Sequence, residues 1–314
     1  MTGFGIETSR VALEAISAAN VAGDQATISS SHVLLALTEL RAGRDGEAWK
    51  RHSLALEIAE ASGNSWQTIQ RRRTLGWFLC NVRRWDEGEP YLATATGPGI
   101  TRYRESLYAQ SYIALATGNH PRAHAVLAEW SALIASGHLP SSGTPVALVI
   151  QGHLARLENR MEGATDCFRS ILATPGASEN LVFSFFAHLG LAMIDHETGN
   201  VAGSRRLFTK LVNTFMQLPE LMGSSLGWMT AEIAGLVAPA DPARGLELGA
   251  IADHLGQRAW YAPRFSLDVE RTTKILHLAR ERSGHAIQTG SVDLPEGEIV
   301  AKCLEALAAL EGVL

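Results

Sequence analysis

Apolar positions recur along most of the chain at the three- and four-residue spacing of helices, and short polar stretches interrupt them at regular intervals. Six interruptions stand out: Ala42–Gly46, Val82–Asp86, Thr117–Pro121, Glu158–Glu162, Thr198–Ala202 and Ala238–Pro242. Each is followed by a small residue near the start of the next segment. These are Ala48, Gly88, Ala123, Ala164, Ser204 and Gly245, at spacings of 40, 35, 41, 40 and 41 residues. Twelve residues before the first five lie Ala36, Gly76, Ser111, Gly152 and Ala192, again all small. Two antiparallel helices that touch closely need a small side chain on each at the crossing. The pattern therefore predicts helix A, a tight turn and helix B, used six times. The sixth use is less regular, its counterpart being Ile233 or Ala234.

The B segments carry a second column. Four residues past the small residue come His52, Leu92, Leu127, Phe168 and Phe208, and seven past it Ala55, Ala95, Trp130, Ile171 and Leu211. That spacing lines one helical face, which would pack on its own helix A and on the next unit. The ends depart from the repeat. Residues 7–22 read as a lone B-type helix without its A partner, as in a piece of a longer chain or an atypical cap. After a joint at Trp260–Arg264, the pattern predicts a helix over Ser266–Ser283, a loop, and a final amphipathic helix over Glu296–Leu310. The expected division is a repeat array over 1–262 and C-terminal capping helices over 263–314, packed on the array.

Composition narrows the class. Hydrophobic residues make up 46% and charged residues 19%, a balance that excludes a disordered chain. The formal net charge of −5 argues against direct nucleic-acid binding. Three cysteines, Cys80, Cys167 and Cys303, lie far apart without a CxxC pair, so neither a disulfide framework nor a structural zinc site is expected. The first residues lack the basic and apolar runs of a signal peptide, and no apolar run is long enough to span a membrane. The expected location is the cytoplasm.

The succession of small residue, turn, small residue and large apolar residue resembles the tetratricopeptide repeat, with a longer period than is usual there. The resemblance implies an all-α fold: a right-handed α-solenoid of antiparallel helix pairs, about six units plus terminal helices. The stretch Gly245–Gly256, with the two helices after it, resembles the C-terminal sensor region of large bacterial signal-transducing ATPase transcription regulators of the LuxR and SARP types. Those proteins couple a long helical array to a nucleotide-binding module and a DNA-binding end. Here no G-x-x-x-x-G-K-[ST] occurs and no basic helix-turn-helix segment follows the array.

The sequence carries no G-x-G-x-x-G, H-E-x-x-H or G-x-S-x-G motif, and it implies no cofactor, no metal and no enzyme. His120 and His124 have a metal-compatible spacing, but the plain reading is a solvated helix face. Asp195-His196-Glu197 places three chemical side chains in three directions on a helix. Of Arg71-Arg72-Arg73, the first two are expected to be solvated or paired and Arg73 to face elsewhere. A helical-array enzyme would have to pair His153 with Glu105 or Asp195.

In a stack of this kind the A helices line the inner groove. The expected inward positions are Val33 and Leu37; Arg73 and Trp77; Tyr108 and Tyr112; Val149, His153 and Arg156; and Phe186, Leu189 and Met193. The aromatic rings are either core between units or the wall of a groove. Read as a groove, the candidate ligand-binding residues are Arg73, Trp77, Tyr108, Tyr112, His153 and Arg156. Arginines would hold a carboxylate or phosphate, and the rings would stack on an apolar or ring-bearing body. The functional expectation is a module that senses a small-molecule or peptide effector for a bacterial transcription regulator. The alternative is a protein-interaction scaffold whose only partner is another protein.

Overall fold

A computed structural model describes residues 3–93, 100–139, 144–176, 180–217, 225–257, 265–283 and 294–312. The expected joint at Trp260–Arg264 and most of the loop that follows Ser283 lie outside the described residues. Among the described residues every regular element is helical and there is no strand. The fold is an all-α helical repeat, and its chain divides into two compact units. One runs to Ile113; the other takes Ala114 to Gln257 and the C-terminal helices.

The first unit begins with α1 (Gly3–Ala22). Two pairs follow, α2 (Gln25–Arg41) with α3 (Asp45–Ala61) and α4 (Ser65–Asn81) with α5 (Trp85–Ala93). It also holds most of α6 (Ile100–Ala116). Side chains that accept from free backbone N–H groups start several of these helices: Asp24 caps α2 through Thr27 N, and Asn64 caps α4 through Gln67 N. The A–B turns take one left-handed residue each. Gly43 and Arg83 hold φ of 72° and 63°. A glycine holds that conformation without cost, whereas Arg83 is a departure from it.

The second unit contains α7 (His120–Ala135) and three pairs: α8 (Thr144–Leu157) with α9 (Met161–Ala173), α10 (Leu181–Glu197) with α11 (Val201–Gln217), and α12 (Leu226–Val237) with α13 (Pro242–Gly256). The C-terminal helices α14 (Ser266–Ser283) and α15 (Glu296–Ala309) pack onto α11, α12 and α13.

The small residues do sit at the crossings. Ala36, Ala48, Ala164, Ala192 and Ser204 are fully buried. Ser204 Oγ donates to the Ala192 carbonyl at 2.9 Å, so α10 and α11 touch through a hydrogen bond. A Cβ on Gly76 would run into the Gly88 carbonyl and Leu92, and one on Gly88 into the Gly76 carbonyl. The irregular sixth pair meets through Gly245, which lies against Ala238. In the second column, Phe168 of α9 is driven between α8 and α10 as a wedge, and a Cβ on either Gly152 or Gly190 would collide with its ring. Leu92 and Phe208 occupy the same column and are fully buried. His52 holds that position on α3. Among the described residues no helix is long and apolar enough to cross a membrane.

Candidate functional site

In the first unit, helices α2, α3, α4 and α6 enclose a groove of about 380 Å³, open on one side. That volume falls in the range of small-molecule pockets. Val33 and Leu37 form its wall on α2; Arg73, Trp77 and Asn81 line it along α4; Tyr108 closes it from α6. The spacing of Arg73, Trp77 and Asn81 is four residues each time, which puts all three on one face of α4. Four of the six candidate site residues belong to this unit. Three of them, Arg73, Trp77 and Tyr108, line the groove, and Tyr112 is buried behind them.

The three rings form a cluster. Trp77 lies 5.7 Å from Tyr108 and 5.9 Å from Tyr112 between centroids, and the two tyrosines are 6.2 Å apart. All are tilted or edge-on, within the range that aromatic pairs prefer. Trp77 and Tyr108 keep part of their surface open, whereas Tyr112 is 6% exposed. Burial pushes the Tyr108 phenol up to about 12 and the Tyr112 phenol well above its ordinary value, so both stay neutral hydrogen-bonding groups. The two readings of these rings are thus both realised: Tyr112 is core, while Trp77 and Tyr108 are core on one side and groove wall on the other.

The arginines beside the groove are more deeply set than the sequence implies. Arg72 pairs with Glu60 at 2.8 Å on the surface. Arg71 does not join it in solvent. Its side chain turns inward, and Nε and Nη2 donate to the hydroxyls of Ser29 and Ser30 at 2.8 and 2.6 Å. Hydroxyls, unlike carboxylates, leave a guanidinium charge uncompensated. Burial lowers the Arg71 and Arg73 pKa values, and Arg71 adds to the effect on Arg73. His52 lines the groove against Phe78, with ring centroids 5.3 Å apart. It is 3% exposed, and its Nδ1 has no hydrogen-bond partner in the protein. Burial, with the Arg71 charge second, drops its pKa to about 4, so the ring is neutral at neutral pH.

The remaining candidates, His153 and Arg156, belong to the second unit and are interior. Arg156 grips Asp268 of α14 with both Nη atoms, each at 2.8 Å. Its Nη1 also donates to Glu197. Arg271 of α14 donates to Glu197 as well and to Glu232 at 2.7 Å. Burial opposes the ionisation of Asp268, but the Arg156 charge overrides it and holds the carboxyl below its ordinary value. Two guanidinium groups and three carboxylates thus form one network in which Arg156 has no exposed surface. His153 is boxed by Phe168, Phe265 and Trp228 at centroid distances of 5.1, 5.2 and 5.6 Å. Neither of its ring nitrogens has a hydrogen-bond partner in the protein, and burial lowers its pKa to about 3. The inward positions Val149, Leu189 and Met193 are buried as well. In this unit five of the residues expected to line a groove are core, and Phe186 is half-buried.

The other chemical-looking clusters resolve into structure. Asp195 bonds to Asn200 at 3.0 Å, His196 is turned into the interior, and Glu197 joins the arginine network. His124 Nε2 bonds to Glu158 at 2.7 Å, with His120 4.0 Å from the same carboxylate. Among the described residues no group of three metal-ligating side chains gathers. Glu105, one of the two acids considered beside His153, lies outside the residues whose side chains are described. All three cysteines are free, and burial raises the thiols of Cys80 and Cys303 to about 12.

Two features of the groove escaped sequence reasoning. One is His52, although a polar residue in a column otherwise held by Leu92, Phe168 and Phe208 was a usable signal. The other is the inward turn of Arg71, for which the run of three arginines carried none. No protein-family model matches the chain, and no curated protein matches it in sequence.

Proposed function

We propose that this chain is a ligand-binding helical repeat module that serves a bacterial transcription regulator as its sensor, with recognition in the groove of the first unit. The observation that carries the binding role is the groove itself: about 380 Å³, with an aromatic wall of Trp77 and Tyr108 and a cationic end at Arg73. Apolar walls with a few convergent polar groups are the usual composition of small-molecule sites. The link to transcription rests on the resemblance of the Gly245–Gly256 stretch and the helices after it to regulator sensor regions. His153 and Arg156 stand outside the proposed site, because their partners and burial already assign them to the interior.

A thermal-shift screen of cell metabolites, followed by calorimetry of hits on wild type and Trp77→Ala, tests the proposal. The expected result is a metabolite that raises the wild-type melting temperature and binds Trp77→Ala at least about tenfold more weakly, the loss of one good aromatic contact. Equal affinity for both proteins removes the groove from the reading. A defined protein partner that binds equally well to both, with no metabolite hit, would favour the scaffold instead.

A further inference from the structure

We infer that the inner face of α8, α10 and α12 is a docking surface for a helix of another protein that carries an aspartate and, three residues on, an arginine, and that α14 occupies this surface in the chain itself. The surface lies wholly in the second unit and does not depend on the groove of the first.

The geometry starts from the side that α14 presents. Asp268, Arg271, Thr272, Ile275 and Ala279 are separated by three- and four-residue steps that line one face of a helix. That is the anchor spacing of a helix laid into a groove. Asp268 accepts from both Nη atoms of Arg156 on α8 at 2.8 Å. Arg271 donates to Glu197 at the end of α10 and to Glu232 on α12. Ile275 and Thr272 lie beside Gly235 of α12, where a Cβ would meet them at 3.7 and 3.9 Å. Ala279 packs with Ala238, just past α12. At its other end the helix reaches the turn before α7, where a Cβ on Gly118 would stand 3.1 Å from Ser266 Oγ. In a helical repeat each unit touches only its neighbours. The next helix in line would therefore touch α12 and α13. The reach of α14 to α8 and α10 is not explained by the repeat.

The chemistry of that reach suits a contact that opens. Over α8 and α10, α14 is held through Asp268 and Arg271. Asp268 is fully buried, and Arg156 is 2% exposed. Apolar packing of the same volume would hold a permanent helix at least as well as buried charges do. Permanent interfaces are also the more apolar ones. Charged faces, by contrast, return to water when the helix leaves. They define the partner too. The Arg156 fork fits a carboxylate, and the Glu197 and Glu232 carboxylates fit a guanidinium one helical turn on. Nor does α14 use all that the surface offers. Arg156 Nε and His196 Nδ1 are buried without a hydrogen-bond partner in the protein. A partner's helix with polar side chains at those points gains bonds that α14 leaves unmade.

The probe is a fluorescent peptide of residues 265–283, added to the full chain. In wild type, α14 competes with it from within the same molecule, at high effective concentration. Asp268→Ala in the chain weakens that competitor and leaves Arg156 to the peptide's own aspartate. We expect the peptide to bind this variant at least about tenfold more tightly than wild type and to raise the variant's melting temperature. A peptide with Asp268→Asn should bind the variant at least about tenfold more weakly than the parent peptide, the margin of one charge-assisted contact. Equal binding of the two peptides, or of the parent peptide to the two chains, overturns the inference. So does the absence of binding to the variant near about 1 mM. A wild-type dimer that the peptide dissociates would make the occupant α14 of a second copy and overturn the assignment to another protein. Hydrogen exchange on wild type needs no variant. Amides of α14 should exchange through openings of lower free energy than those of α10 and α11. Equal protection of the three helices would make α14 a fixed part of the core and overturn the inference.

Discussion

Each of the two units sets arginines beside aromatic rings, and each does something different with them. In the second unit, Arg156 and Arg271 meet three carboxylates, and the charge is consumed inside the protein. In the first unit, Arg71 donates to the hydroxyls of Ser29 and Ser30, and the neighbouring Arg73 is among the residues that line a groove. The rings follow the same division: Phe168, Phe265 and Trp228 seal His153 off, while Trp77 and Tyr108 keep open surface. The lesson is that a polar residue on an A helix is not assigned a role by its place in the repeat. Its role depends on what later elements pack against it. Helix α14 decides it for Arg156 through Asp268.

The largest effect that separates the units should come from Asp268→Ala. It removes the buried carboxylate that Arg156 grips with both Nη atoms and should cost about 3–5 kcal/mol, measured by denaturant unfolding. The matching change in the first unit, Arg71→Leu, should cost about 1 kcal/mol or less, because it removes bonds to neutral hydroxyls. Similar losses for the two would erase the contrast. Next in size is Gly190→Ala, which pushes a methyl into the Phe168 ring and should cost about 1–3 kcal/mol.

Acid distinguishes the units in a third way. His153, His196 and His52 have folded pKa values of about 3, 4 and 4, below their ordinary value of 6.5. The unfolded chain therefore binds more protons than the folded one in the window between. Their stabilising contribution is complete above pH 6.5 and is lost as pH falls toward 4 and then 3. Each histidine adds up to about 1.4 kcal/mol per pH unit to that slope. His153→Leu should flatten the slope and leave stability at pH 7 unchanged or higher by about 1 kcal/mol, since it replaces a buried group without hydrogen bonds. A steeper slope in the variant would mean that His153 is protonated in the folded chain.

The repeat was legible because it is written in backbone requirements. A small residue is demanded where two helix axes cross, and the columns from Ala36 to Ser204 report that directly. The turns were legible as short polar stretches, and five of the six take one residue at positive φ: Gly43, Arg83, Gly118, Asn159 and Gly199. Helix α14 begins and ends at Ser266 and Ser283, as its apolar spacing predicts. The site was legible only in part. Face periodicity was enough to put Arg73 with Trp77 and to bring Tyr108 near them. It could not distinguish Trp77 from His153, because what buries His153 is Phe265 and Trp228, which follow it by more than 70 residues. Asp268 was invisible for the same reason. Nothing local marks an aspartate near the start of a helix as the partner of an arginine three helix pairs earlier.

That separation also sets an order of events during synthesis. Arg156 leaves the ribosome 112 residues before Asp268. At translation speeds of roughly 5–20 residues per second, the gap lasts about 6 to 22 s. Through that interval Arg156 has only Glu197, 41 residues on, and lacks the carboxylate that it grips with both Nη atoms. The second unit therefore cannot reach its final packing pair by pair as it emerges. Its earlier helices must wait, loosely assembled, for α14 to arrive.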